Sequence, residues 1–229
     1  MNRKAVFVTA TGTDIGKTYV SGLLVKKMRD LDFDCGYYKP ALSGAIKQPD
    51  GSLLPGDCDF VVKTSGLKVN PTDCVTYCFE EAVSPHLAAN RLGVEICLDK
   101  IKSEFLKNTK KYDYLVVEGA GGITCPFVIT DKKVVLLPQI IKNLGLDVVI
   151  VADGGLGTIN SVLLTVEYAK AQGLGIRGII LNNYIENDFM YEDNKAQVER
   201  LTGVKVIATV KKDDKDLNIS QENLLKIFE

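Results

Sequence analysis

The residues able to do chemistry lie in a few short segments. Thr11-Gly12-Thr13-Asp14-Ile15-Gly16-Lys17-Thr18 sets a lysine and a hydroxyl directly behind a glycine-containing turn. Between a strand and a helix, such a loop turns successive N–H groups toward a phosphate, and the helix N-terminus adds partial positive charge. Lys17 then reaches the outer phosphates of a nucleoside triphosphate, and the Thr18 hydroxyl ligates Mg²⁺. The strict form of this pattern has glycine at position 11; here Thr11 stands there and Gly12 follows. Lys39, ahead of Pro40 and near Ser43 and Gly44, offers a second cation, although that segment alone reads equally well as a solvated lysine at a strand end. Glu118 follows the apolar run Tyr114 to Val117 and precedes Gly119-Ala120-Gly121-Gly122. A carboxylate at the end of a buried strand needs a partner, and Mg²⁺, which takes a few hard oxygens, is one. Asp57 and Asp59 follow Pro55-Gly56 and also suit a turn and a helix cap. Either would complete a metal set with Thr18 and Glu118; the spacing to the following helix favours Asp57.

Gly154-Gly155-Leu156-Gly157 opens another helix without a lysine. It suits an anion such as a carboxylate, and equally a plain tight turn. Asn182 and Asn183 end a further strand, where an amide could read a base through a paired donor and acceptor, or simply turn the chain. His86, the single histidine, follows Ser84-Pro85 and is assigned no catalytic role. The cysteines, Cys35, Cys58, Cys74, Cys78, Cys97 and Cys125, form no Cys-x-x-Cys pair and no zinc set, and read as reduced thiols.

The elements that must hold these groups alternate along the chain. Apolar runs at Ala5–Thr9, Cys35–Tyr38, Tyr114–Val117, Asp147–Ala152, Arg177–Leu181 and Val204–Val210 read as strands. Helical spacing covers Lys17–Arg29, Asp57–Ser65, Pro85–Arg91, Asp99–Asn108, Pro138–Asn143, Thr158–Ala171 and Tyr191–Leu201. Strands apolar on both faces and alternating with helices imply an α/β fold: a three-layer sandwich of the P-loop NTPase kind, its mainly parallel central sheet covered by helices on both faces. Right-handed crossovers then bring the loops after the strands to one sheet edge. The segments Thr9–Gly16, Lys39–Gly44, Glu118–Cys125, Asp153–Gly157 and Asn182–Ile185 are therefore expected to meet.

The chain has 229 residues, 46% of them apolar and 25% charged, with a net charge of −1. No linker or repeat divides it, so residues 1–229 read as a single domain. The charge balance leaves no basic field for nucleic acid. The apolar run after the basic Met1-Asn2-Arg3-Lys4 is too short for a leader, and no run is long enough to span a membrane; a cytoplasmic protein is expected.

Taken together, Gly12–Thr18, Tyr38-Lys39-Pro40 with Ser43-Gly44, Ser84-Pro85-His86, Val117–Gly122 and Gly157–Asn160 resemble the dethiobiotin synthetases, in order and spacing across nearly the whole chain. The resemblance implies an ATP- and Mg²⁺-dependent ligase that closes the ureido ring of dethiobiotin from 7,8-diaminopelargonate and CO₂, through a carbamate and a carbamic–phosphoric anhydride. Carried over by position, Lys17 and Lys39 are catalytic. Gly12, Thr13, Asp14, Ile15, Gly16, Lys17, Thr18, Asp57, Glu118, Gly119, Gly121 and Asn182 bind ATP. Thr18, Asp57 and Glu118 hold the metal, and Thr11, Lys39 and Ser43 meet the reacting diamine end. The resemblance further implies a homodimer with the site at the interface, where the partner's Gly157 to Asn160 helix start takes the substrate carboxylate. Two positions depart from the family: Ala10 replaces the glycine that usually opens the loop, and Ile207-Ala208-Thr209-Val210 lacks the usual proline. Two rivals share the loop. Amidotransferase synthetases carry an extra glutaminase domain for which this chain has no room. Partitioning or septum-placement ATPases carry a lysine where this chain has Gly12, and often a membrane-binding tail, for which Leu217–Glu229 is a poor candidate.

Overall fold

The computed structural model describes residues 4–229; Met1-Asn2-Arg3, on which the leader reading partly rests, lies outside the described residues. In chain order the elements are β1 (Lys4–Ala10), α1 (Lys17–Asp30), β2 (Cys35–Ser43), the short strands β3 (Ile46–Lys47) and β4 (Leu53–Leu54), α2 (Gly56–Ser65), β5 (Val75–Phe79), α3 (Pro85–Arg91), α4 (Leu98–Lys111) and β6 (Tyr114–Glu118). There follow β7 (Pro126–Ile129), β8 (Val134–Leu136), α5 (Leu137–Leu144), β9 (Val148–Asp153), α6 (Thr158–Ala171), β10 (Ile176–Asn182), α7 (Phe189–Thr202), β11 (Val206–Thr209) and α8 (Gln221–Lys226). Seven strands form one sheet in the order β11-β10-β9-β1-β6-β2-β5, and every pairing in it is parallel. The pairs β3–β4 and β7–β8 are small antiparallel ribbons beside it.

Strand alternation divides the core in two. Ala5 and Phe7 of β1, Leu115 and Val117 of β6, and Ile150 of β9 pack with α3, α4, α5, α6 and α7. Val6, Val8 and Ala10 of β1, Val116 of β6, and Val149 and Val151 of β9 face the other way, onto α1, α2 and α8. The expected three layers follow from this division. Leu217, Leu224, Ile227 and Phe228 belong to the second core and are buried, so the C-terminal segment is a packed part of the fold rather than an amphipathic tail.

β1 lies centrally, between β9 and β6, although the chain visits β2 and β5 before returning to β6. The order reverses there, where parallel sheets open a crevice at the carboxyl ends of their strands.

Two sequence expectations need correcting. β5 is missing from the strands read in the sequence, being a half-buried edge strand carrying Thr76 and Cys78. β2 does not stop at Tyr38 but runs through Lys39 and Pro40 to Ser43. Pairing of β2 with β6 ends at Tyr38, while pairing with β5 runs from Lys39 to Ser43. Proline therefore enters where the ladder on one side has ended, so its missing N–H breaks no sheet bond. Ala10 is the fully buried last residue of β1, so a side chain is accommodated where the resembling family usually has glycine.

Candidate active site

The loop between β1 and α1 is shaped by Asp14 and Gly16, both at positive φ (59° and 95°). Gly16 is irreplaceable on two counts, because a Cβ would also lie 2.1 Å from Asn182 Nδ2. Among the described residues, the main-chain N–H groups from Gly12 through Thr18 make no hydrogen bond to the chain's own carbonyls. A run of free amides at the start of a fourteen-residue helix is a cradle for anionic oxygen.

Lys17 and Lys39 are both buried, at 8% and 3% exposure, but their surroundings differ. Among the described residues, Lys17 Nζ donates only to the Gly12 carbonyl, at 3.0 Å. Burial, and then the Lys39 ammonium, lowers its pKa from the ordinary lysine value. Lys39 Nζ lies 2.5 Å from Glu118 Oε1 and 2.9 Å from Asp57 Oδ2, and donates to the Gly119 carbonyl at 3.2 Å. Burial alone would depress it, but the two carboxylates more than reverse that and hold it above the usual lysine range.

Glu118 is fully buried and its oxygens are divided between partners. Oε1 accepts from Thr18 Oγ1 at 2.8 Å as well as from Lys39. Oε2 accepts from the Tyr37 hydroxyl at 2.8 Å. Burial, and then the Glu118 charge, raises the Tyr37 phenol well above its ordinary pKa, so it remains a donor. The structure also separates the two candidate aspartates. Asp57 lines the cleft and pairs with Lys39, whereas Asp59 pairs with Lys63 one helical turn on, at 2.6 Å. Two carboxylates thus converge on one cation, the Lys39 ammonium, and the Thr18 hydroxyl joins them through Glu118 Oε1. Hard oxygen donors gathered this way fit Mg²⁺.

These groups share a cleft of about 560 Å³, lined also by Thr13, Asp14, Gly16, Tyr19, Leu42, Ser43, Phe60, Ala120 and Gly121. Of the five segments expected to meet, those after β1, β2 and β6 line it. The other two reach it indirectly: Gly154 N–H donates to the Asn182 carbonyl, and Asn182 Nδ2 donates to the Ile15 carbonyl at 2.9 Å. Asn182 Oδ1 is buried without a partner among the described residues. One of the amide's two N–H donors is thus committed to the Ile15 carbonyl, and Oδ1 is left over as an acceptor. Gly119 is required by close approach. A Cβ on it would meet Phe7 at 2.9 Å, whereas one on Gly122 would find the Gly12 Cα at 3.4 Å, an ordinary contact.

Thr11 uses its N–H on the Val151 carbonyl and does not line the cleft. Gly157 and Asn160 are exposed at the start of α6, also outside it. His86 Nδ1 bonds Ser84 Oγ at 2.9 Å, a local contact at the start of α3. All six cysteines are free. Burial pushes the Cys125 thiol up to about 11 even though Lys17 and Lys39 pull it down, so it is no nucleophile near neutrality. Tyr37 is the site residue the motifs do not reveal. Strand alternation could have found it, because it lies two residues before Lys39 on the same face of β2.

No helix among the described residues is long and apolar enough to cross a membrane. A family model described as an AAA domain matches residues 4–218. Among solved structures, a ParA family ATPase from Chlorobium tepidum TLS aligns with a TM-score of 0.53 at 15% identity, covering 100% of this chain and 90% of that one. The MinD cell division protein of Aquifex aeolicus aligns at 0.52 and 14%, covering 98% and 87%. At such identities these likenesses speak for the fold alone. The sequence relatives say more. An ATP-dependent dethiobiotin synthetase BioD of Clostridium botulinum (strain Okra / Type B1) is 46% identical over 226 residues, 99% of this chain and 98% of that protein. The protein of the same name from Clostridium perfringens (strain 13 / Type A) is 46% identical over 209 residues, 91% of each. Likeness on this scale spans nearly the whole chain, and the chain belongs to the ATP-dependent dethiobiotin synthetase family.

Proposed function

We propose that the cleft closes the ureido ring of dethiobiotin, using ATP, CO₂ and 7,8-diaminopelargonate, with Lys17 and Lys39 as its catalytic cations. One observation carries the reading: two buried lysines, a hydroxyl and two carboxylates meet beside a run of unpaired amides.

The amides from Gly12 to Thr18, including those of Thr13, Asp14 and Ile15, cradle the phosphates. Asn182 Oδ1 accepts from the base amino group, and Gly119 and Gly121 keep the loop after β6 close against the cradle. Thr18, Asp57 and Glu118 hold Mg²⁺, which when bound neutralises charge on the phosphate oxygens. CO₂ adds to one amine of the diamine, which loses a proton and becomes a carbamate. A site holding two ammonium groups favours that anion over the neutral amine. Lys39, with Thr11 and Ser43 nearby, orients it. The carbamate oxygen attacks the γ-phosphorus in line, ADP leaves, and Lys17 follows the transferred phosphoryl group. This transfer demands positioning and charge neutralisation more than covalent help. The second amine then attacks the carbamoyl carbon; phosphate departs, a proton is lost and the ring closes.

The substrate's distant carboxylate is met by Gly157 to Asn160 of a second copy, which makes the working unit a homodimer and the chain one domain. The exposure of this helix start, away from its own cleft, supports that reading. We place the enzyme in the cytoplasm, with no nucleic-acid or membrane partner.

The test is phosphate release by the purified protein with ATP, Mg²⁺ and bicarbonate, with and without the diamine. Release that depends on the diamine and is matched by dethiobiotin in mass spectra is the expected result. Release indifferent to the diamine would overturn the reading.

A further inference from the structure

Glu118 is the most buried acid of the cleft, and its two oxygens are not equivalent. Oε1 faces Thr18 and Lys39, the groups at the phosphate end. Oε2 faces away from them, onto the Tyr37 hydroxyl at 2.8 Å. Tyr37 is 1% exposed and packed in the core shared by β2, α1 and α2. It stands opposite Val116 in the β2–β6 register, one diagonal step from Glu118 on the same face of the sheet. Strand pairing on one side and core packing on the other fix the ring. The hydroxyl thus has no role at the cleft surface except to hold Oε2.

That division bears on coordination. A carboxylate with one oxygen engaged by a fixed donor presents the other alone. Mg²⁺ is small, demands near-ideal octahedral geometry and is commonly held by carboxylates through single oxygens. Ca²⁺ gathers six to eight oxygens at longer distances and readily takes both oxygens of one carboxylate. We propose that Tyr37 is a specificity-determining positioning residue: by occupying Oε2 it holds Glu118 to one-oxygen coordination and makes the nucleotide site discriminate Mg²⁺ from Ca²⁺. This rests on the reading of Glu118 as a metal ligand, and the experiment separates the two.

The affinity of a non-hydrolysable ATP analogue is measured calorimetrically in Mg²⁺, in Ca²⁺ and in chelator, for the wild type, Tyr37→Phe and Glu118→Gln. The wild type is expected to bind more tightly with Mg²⁺ than with Ca²⁺. Tyr37→Phe should narrow that ratio about tenfold, chiefly by tighter binding in Ca²⁺, because the freed Oε2 can join Oε1 on the larger ion. A purely structural role for Tyr37 would lower the melting temperature and leave the ratio alone; a ratio within twofold of the wild type therefore overturns the proposal. If Glu118→Gln keeps the full metal dependence, Glu118 is not a ligand, and both the reading and the proposal fall. If it loses that dependence while Tyr37→Phe keeps the ratio, only the proposal falls. Infrared difference spectra of the nucleotide-loaded wild type on adding Mg²⁺ need no variant. A one-oxygen carboxylate band supports the proposal, and a wholly two-oxygen band overturns it.

Discussion

Two glycine-rich loops join a strand to a helix in this protein, Thr11–Gly16 after β1 and Gly154–Gly157 after β9, and the fold treats them differently. In the first, the amides from Gly12 onward have no partner among the described residues, and Lys17 Nζ bonds back to the Gly12 carbonyl. In the second, Gly154 N–H goes to the Asn182 carbonyl and Gly155 N–H to Asp153 Oδ1. Asn194 closes that loop from beneath, donating to the Gly154 and Gly155 carbonyls at 3.0 Å each. Leu156 at its tip is 91% exposed. Glycine content alone therefore does not make an anion site; what matters is whether the amides are left over. The first loop leaves a row of amides beside a buried lysine. The second offers only its last amides and no cation, and they face outward.

Mutation can break this comparison. The largest effect belongs to the lysines of the first loop's cleft. Lys17→Ala and Lys39→Ala should each lower kcat by about a thousandfold or more, the scale of losing a principal charge stabiliser. Their stabilities should part company. Lys39→Ala leaves Glu118 buried without its ion pair and should cost about 3–5 kcal/mol in urea unfolding, though the chain still folds. Lys17→Ala removes a desolvated cation held only by a carbonyl and should cost far less. Equal losses of stability would show that the two corners are not distinct.

Next come the left-handed glycines, Gly16 at φ 95° and Gly157 at φ 90°. Gly16→Ala meets Asn182 and should weaken ATP binding about a hundredfold. Gly157→Ala meets open space and suffers only backbone strain of about 1–2 kcal/mol. It should raise the KM for the diamine by up to about tenfold and leave ATP affinity unchanged. An effect of Gly157→Ala on ATP would break the assignment of the second loop to another ligand. The smallest effect sharpens the metal set: Asp59→Asn, which breaks only the exposed pair with Lys63, should change kcat/KM by less than about twofold, whereas Asp57→Asn should raise the Mg²⁺ requirement severalfold. These are read by steady-state kinetics with Mg²⁺ varied.

The sequence made the first loop legible because a lysine and a threonine at fixed offsets behind a glycine turn have few other uses. Glu118 was legible for a related reason, being an acid at the end of an otherwise apolar run. What remained hidden had a physical reason in each case. Lys39-Pro40 looks like the end of a strand, yet the strand continues because only one neighbour still pairs with it. Tyr37 looks like core filling, and its hydroxyl acquires meaning only once Glu118 is across the register. Asp57 and Asp59 could not be separated by type or position, since the choice depends on which one the buried Lys39 can reach. For the second loop, the Gly154 amide is taken by the Asn182 carbonyl and the Gly154 and Gly155 carbonyls by Asn194, residues of later elements that no local pattern ties to it.

The Lys39 bridge between Asp57 and Glu118 has a consequence for the life of the molecule before it meets a ligand. Some small metal-binding domains fold only with their metal, and chelators undo them. Here the polypeptide brings its own counterion to the same place. Chelator should leave the melting temperature unchanged, and newly made chains can fold and be stored where free metal is scarce. On the proposed mechanism the metal would arrive with the nucleotide and displace the Lys39 ammonium toward the acceptor.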